Sequence, residues 1–209
     1  MGFRFPVQPK TRQTLAMLAN PELANQPEAL PWVLYDTQAF TTAVTVTQNY
    51  FLTQPGDRTL GNMEGPGQLP DPQFFEIWFW GVDFLINPAV VAAATAVGPL
   101  TDIAQFLWAQ RFIWTFTISN KNIGPFPLSF FHASGGPTGF MAATYAAPVK
   151  MEYANNGVFD GGYGVFGSIV IPPKLGFVVS IAGAGAPTLN QSPLNVRAWK
   201  AGVLHRRVL

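Results

Sequence analysis

Cysteine is absent from this sequence, and charge is scarce. With no cysteine there is no disulfide scaffold, no thiolate nucleophile and no Cys-ligated zinc; the redox compartment is left open by the same fact. Charged side chains make up 11% of the 209 residues, against about 25% in an ordinary globular chain. Only two histidines are present, His132 and His205, too few and too far apart in sequence for a His-rich metal site. A formal net charge of +1 argues against a surface devoted wholly to nucleic acid.

What the chain has instead is aromatic mass, with 18 Phe, 6 Trp and 5 Tyr, together with 20 Gly and 19 Pro. That much aromatic content excludes intrinsic disorder, and the Gly and Pro follow no collagen-like period. The length suits one domain with arms and a substantial core. Only 23 charged side chains would keep it in water, about half of what a soluble monomer of this size carries. Much of the surface is therefore expected to be covered by other chains, a membrane or a ligand lattice. The Met1–Pro6 start carries no apolar core behind it, so no secretory leader is expected. Pro6 also breaks the myristoylation pattern that Gly2 would open.

Residues 1–31 read as an N-terminal arm, with prolines at 6, 9, 21, 27 and 31 and a short helix over Thr11–Ala19, or as an unstructured terminus. From Trp32 to Leu204 the pattern is that of one β domain, and residues 205–209 form a basic end. Strands are expected at Trp32–Tyr35, at Phe40–Leu52 where Thr alternates with apolar residues, and at Phe74–Ile86. Others are expected at Arg111–Ser119, Val149–Tyr153, Val165–Ile171, Leu175–Ile181 and Asn195–Leu204, with turns at Asn120-Lys121-Asn122 and Asn156-Gly157. The Phe74–Ile86 run is apolar on both faces, one showing Phe74, Trp78, Trp80, Val82 and Phe84, the other Phe75, Ile77, Phe79 and Leu85. Such a strand needs cover on both sides. Asn87-Pro88 starts, and Gly98-Pro99 interrupts, a short helical insert near 88–109. Residues 84–101 lack charge over 18 positions, but those same interruptions argue against a membrane span. About eight strands with Pro/Gly-rich loops predict an all-β, antiparallel two-sheet sandwich, most simply a jelly roll.

Chemical motifs are thin. Gly162-Tyr163-Gly164-Val165-Phe166-Gly167 fits a dinucleotide fingerprint in letters, but the β-branched run and two prolines after it leave no helix to hold a pyrophosphate. It reads as a glycine-rich turn or close-packed strand. His132 near Ser134 lacks the nucleophile-elbow pattern of a triad. Glu76 and Asp83 are seven residues apart, roughly 23 Å along one strand and on opposite faces, so they form no glycosidase pair. The Asn190-Gln191-Ser192 sequon is read as chance. No catalytic residue, metal ligand or cofactor is assigned, and no small-molecule substrate is expected.

Seven of the twelve basic residues lie near the ends: Arg4, Lys10 and Arg12, then Arg197, Lys200, Arg206 and Arg207. They suit phosphate contacts with nucleic acid or an internal membrane, or else solvated ends and salt bridges to a neighbouring subunit. Residues 122–149 run 28 positions without a charge and hold Phe126, Phe130, Phe131 and Phe140. With Phe74, Trp78 and Trp80 these are the candidate core or interface residues.

The stretch Asn62-Met63-Glu64-Gly65-Pro66-Gly67-Gln68-Leu69-Pro70-Asp71-Pro72-Gln73-Phe74-Phe75-Glu76-Ile77 resembles a segment of structural proteins from tailless bacterial viruses, over about 16 of the 209 residues. The Thr-rich strands, aromatic faces, Pro/Gly loops and arm also look like single jelly-roll capsid proteins of icosahedral phages. The resemblance implies a non-enzymatic virion subunit made in the host cytoplasm. Its partners would be copies of itself and other virion proteins. Arg4, Lys10, Arg12, Arg206 and Arg207 would then face the shell interior. A carbohydrate- or receptor-binding sandwich, in which exposed Trp and Tyr stack on sugars, is the alternative.

Overall fold

The structure is a computed structural model, and it describes residues 28–85, 102–103, 106, 110–131, 163–189 and 192–206. Among the described residues eight strands follow one another: β1 (Glu28–Phe40), β2 (Thr47–Tyr50), β3 (Phe74–Leu85), β4 (Ile113–Ile118), β5 (Lys121–Pro127), β6 (Tyr163–Ile171), β7 (Phe177–Ala182) and β8 (Leu194–Arg206). Their pairing is nested. β1 pairs with β8, β2 with β7, β3 with β6 and β4 with β5, all antiparallel. Two further pairings, β3 with β8 and β4 with β7, close the sheets into the orders β1-β8-β3-β6 and β2-β7-β4-β5. This is the two-sheet jelly-roll order, and the expected fold class holds.

The expected strand over residues 40–52 is broken. Phe40 ends β1, and a turn follows in which Val44 and Thr45 donate to the Thr41 carbonyl, at 3.3 and 3.2 Å, with Ala43 at φ 54°. The Thr45 hydroxyl accepts from Thr41 N at 3.2 Å, so threonines that read as strand formers bind the local backbone instead. β1 begins at Glu28 and carries Pro31, which an edge strand tolerates because one side of its ladder is open.

Two strands are bulged. In β3 the register slips between Ile77 and Phe79 against both β8 and β6. The extra residue, Trp78, reverses the alternation. Phe75 and Ile77 point into the core before it, and Trp80, Val82 and Phe84 after it. The two faces read from unbroken alternation are therefore corrected. So is the placement of Glu76 and Asp83 on opposite faces, since both fall opposite outward residues of β8, Val203 and Arg197. Gly202 lies opposite the bulge, where an added Cβ would sit 1.8 Å from the Glu76 carbonyl oxygen. In β5 the slip lies between the partners of Trp114 and Phe116, and Gly124 takes φ 106° there. β5 takes up the start of the charge-free run over 122–149, where no strand was expected. The turn is Ser119-Asn120, with Ser119 at φ 54°, and Lys121 already pairs with Ile118.

The core between the sheets is aromatic. Trp80 packs on Trp114 with centroids 4.7 Å apart, and Phe106 on Phe40 and Phe112 at 4.8 and 4.4 Å. β6 covers Tyr163–Gly167 of the glycine motif, so that segment is strand. Most of the insert near 88–109, the strand expected at 149–153 and residues 1–27 of the expected 1–31 arm lie outside the described residues, while residues 28–31 of that arm belong to β1. Among the described residues no helix is long and apolar enough to cross a membrane.

Candidate functional site

The inward positions of β8 alternate as Leu194, Val196, Ala198, Lys200 and Leu204. Lys200 was grouped in sequence with the basic end. The fold instead turns it into the sandwich, where it is 0% exposed. Its Nζ lies 3.9 Å from the centroid of the Phe51 ring, 4.3 Å from Phe116 and 5.4 Å from Phe177. Among the described residues it has no hydrogen-bond partner. Cation–π contact with three rings offsets part of the cost of burying an ammonium. Desolvation still dominates: burial pushes the Lys200 amine well below the usual lysine range, and the negative charge of Asp36 acts more weakly the other way.

Asp36 comes from β1, two positions along the ladder from the Lys200 partner Leu34. It is 2% exposed and accepts three hydrogen bonds, from Phe51 N at 2.6 Å, Thr37 N at 2.8 Å and Gln38 Nε2 at 3.1 Å. Phe51 itself is held at φ 70°, a conformation that costs a bulky side chain about 1–3 kcal/mol. Its carbonyl accepts from Gly67 N at 2.7 Å, which fixes the strained residue from the other side. Tyr50, at the end of β2, is fully buried with no hydrogen-bond partner for its hydroxyl among the described residues. Burial, and secondarily the Asp36 charge, raise the Tyr50 pKa well above the ordinary value. Asp36, Tyr50 and Lys200 are thus buried polar groups gathered about Phe51 in an aromatic core, called here the Lys200 chamber. Period-two alternation along β8 was the one sequence signal that could have placed Lys200 there.

A second buried pair lies on the outer face of the β1-β8-β3-β6 sheet. His205 stacks on Phe74, with centroids 4.2 Å apart and planes 10° from parallel, and its Nε2 is 3.9 Å from Glu76 Oε2. Among the described residues no group of three His, Asp or Glu side chains is placed to hold a metal ion.

The candidate interface residues divide. Phe74, Trp78, Trp80 and Phe131 are buried within the single chain, Phe126 packs against the core, and Phe130 is 53% exposed. Phe140 lies outside the described residues, as do Arg4, Lys10, Arg12 and Arg207. Arg206 ends β8 half-buried, in register with Glu28. Arg197 is engaged inside the chain, over the Tyr35 ring at 5.0 Å and donating to the Thr59 carbonyl at 2.7 Å.

A cleft of about 490 Å³ opens beside β1, lined by Trp32, Val33, Tyr35, Arg58, Asn62 and Ala201 among others. Its polar groups are largely spent on the fold. Asn62 accepts from Tyr35 N at 3.0 Å and donates to the Val33 carbonyl at 2.6 Å, and the Tyr35 hydroxyl donates to the Arg58 carbonyl. Comparison with known protein families, with curated proteins and with solved structures gives no match. The class defined by the fold is an eight-stranded jelly-roll sandwich.

Proposed function

We propose that the chain is a capsid subunit that assembles with copies of itself into an icosahedral shell. The observation that carries this reading is the nested strand order, closed by a single short chain with 11% charge. Shell subunits are one of the recurring uses of the jelly roll, and this step from fold to role is an analogy of architecture. The exposed apolar residues support it. Val44, Val46, Ile113 and Phe130 are 72%, 40%, 41% and 53% exposed. Val46 accepts from Gly183 N, and Ile113 pairs with Ala182, which places these two at one end of the β2-β7-β4-β5 sheet. Burying such side chains against a neighbour contributes about 25 cal/mol per Å². In this reading the basic arm and C-terminal end face the interior and meet nucleic acid or an internal membrane, and the protein resides in the virion.

The test is assembly. Purified protein concentrated for light scattering and negative-stain microscopy is expected to form regular capsomers or shells. A chain that stays monomeric at its highest attainable concentration would sink the reading. The β1 cleft favours a second reading, a glycan- or receptor-binding sandwich, because Trp32 is 37% exposed beside Asn62 and Arg58. Glycan-array binding lost in Trp32→Ala, in a protein that does not assemble, would establish it instead.

A further inference from the structure

We propose that the Lys200 chamber is a proton-operated latch: uptake of one proton by the buried amine releases Phe51 and lifts the β2 segment from the sandwich. The inference is independent of the capsid reading and rests on how the chamber is closed.

Among the described residues Asp36, from β1, is the one charged group identified as acting on the Lys200 amine, and it also acts on Tyr50 at the end of β2. The other groups around it are rings: Phe51 after β2, Phe116 from β4 and Phe177 from β7, with Trp80 of β3, whose indole N–H is a donor and not an acceptor, opposite Lys200 in register. A neutral amine left without a partner costs much less than an unpaired ammonium. Once protonated, the ammonium has three N–H donors and faces only rings. The anion that attracts it is Asp36, which among the described residues makes no ion pair with Lys200 and whose oxygens already take the Phe51, Thr37 and Gln38 N–H groups, so the ammonium must move toward it and displace one of them. The ammonium competes with Phe51 N for Asp36 Oδ2. When Phe51 N loses that acceptor, nothing on that side opposes relaxation of its φ of 70°. The segment that yields is weakly held. β2 has four residues, lies at a sheet edge and pairs only with β7, and residues 52–54 after it are exposed.

Hydrogen exchange read by mass spectrometry tests this on the whole protein. As the pH is lowered stepwise from about pH 10 to the acid edge of folding, after correction for intrinsic rates, amides of Thr47–Leu52 are expected to lose about tenfold or more in protection, while β3 and β8 hold theirs. In Lys200→Met the same amides are expected to change by less than about twofold. Unchanged protection in the wild type overturns the latch. An equal loss in Lys200→Met also overturns it and assigns the effect to another group. Should that variant fail to fold, NMR of the lysine Cε resonances in the wild type decides. A Lys200 signal that titrates together with the exchange change supports the latch, and one fixed in either charge state across the range overturns it.

Discussion

A lysine amine sealed among three phenyl rings acts on stability chiefly through its cost. In the unfolded chain Lys200 takes its ordinary value of 10.5, and in the fold burial holds it well below that. Above 10.5 both states are neutral at this site and the group is silent. As pH falls below that value the unfolded state binds a proton that the native state does not, so unfolding gains. The penalty grows down to the folded-state value and then stays constant. Tyr50 works at the upper end: its raised value makes the native state hold a proton the unfolded state releases above 10.0. Stability should therefore rise from neutral pH toward about pH 10 and fall beyond it. Lys200→Met should be more stable at neutral pH, because it removes the cost of stripping a proton from the lysine and burying its amine without a partner. It should also lose the rise with pH. Urea unfolding of both proteins at neutral and alkaline pH measures this, and parallel pH profiles would refute it. At this scale the sequence marked mass better than polarity. Trp80 and Phe131 are large apolar residues, and both are buried. Lys200, Asp36 and Glu76 belong to types usually solvated, and only packing with distant strands buries them, the first two inside the sandwich and Glu76 on the outer face of its sheet.

β3 is the element whose construction decides the core. Its sequence reads as a two-faced apolar strand, and its burial is nearly continuous. What alternation could not show is which face meets the second sheet, because one inserted residue exchanges the faces halfway. The bulge also explains Gly202, since β8 passes the Glu76 carbonyl too closely for any side chain. Deleting Trp78 restores an unbroken alternation, and it turns either Phe75 and Ile77 or Trp80, Val82 and Phe84 outward. The deletion is expected to abolish cooperative unfolding and the near-UV dichroism of the Trp80–Trp114 pair. Trp78→Phe keeps the residue count and should retain both signals. A cooperative, native-like deletion variant would show that the register is set elsewhere. β7 and β8 were legible because their β-branched and aromatic runs coincide with their burial. β5 was not, because Gly124 and Pro125 in its middle are the letters of a loop and only an edge position at a bulge accommodates them.

For the molecule as a whole, scarcity of charge now has two separate accounts. Part of it is internal: the residues at the Phe74 end of the first sheet are buried on both faces within one chain, and the core holds charged groups of its own. The remainder is at the surface, in the exposed apolar residues near the Val46 and Ile113 end and in the uncharged outer face formed by Thr47, Asn49, Thr115, Thr117 and Ser180. These two surfaces and the basic ends predict opposite responses to conditions. Association through apolar area is entropic near room temperature, strengthens on warming and is indifferent to screening. Association through Arg4, Lys10, Arg12 and the C-terminal arginines onto a polyanion weakens steeply with salt, because counterions are released. With so little charge on the described face, subunit association should follow the first pattern. Its onset concentration should fall on warming and stay nearly constant between about 0.1 M and about 1 M salt, over which the screening length shrinks from about 10 Å to about 3 Å. Light scattering across a grid of temperature and salt, without nucleic acid, separates the two. Assembly that is lost at high salt, or that appears only when nucleic acid is added, would transfer the driving force from the sandwich to its basic ends.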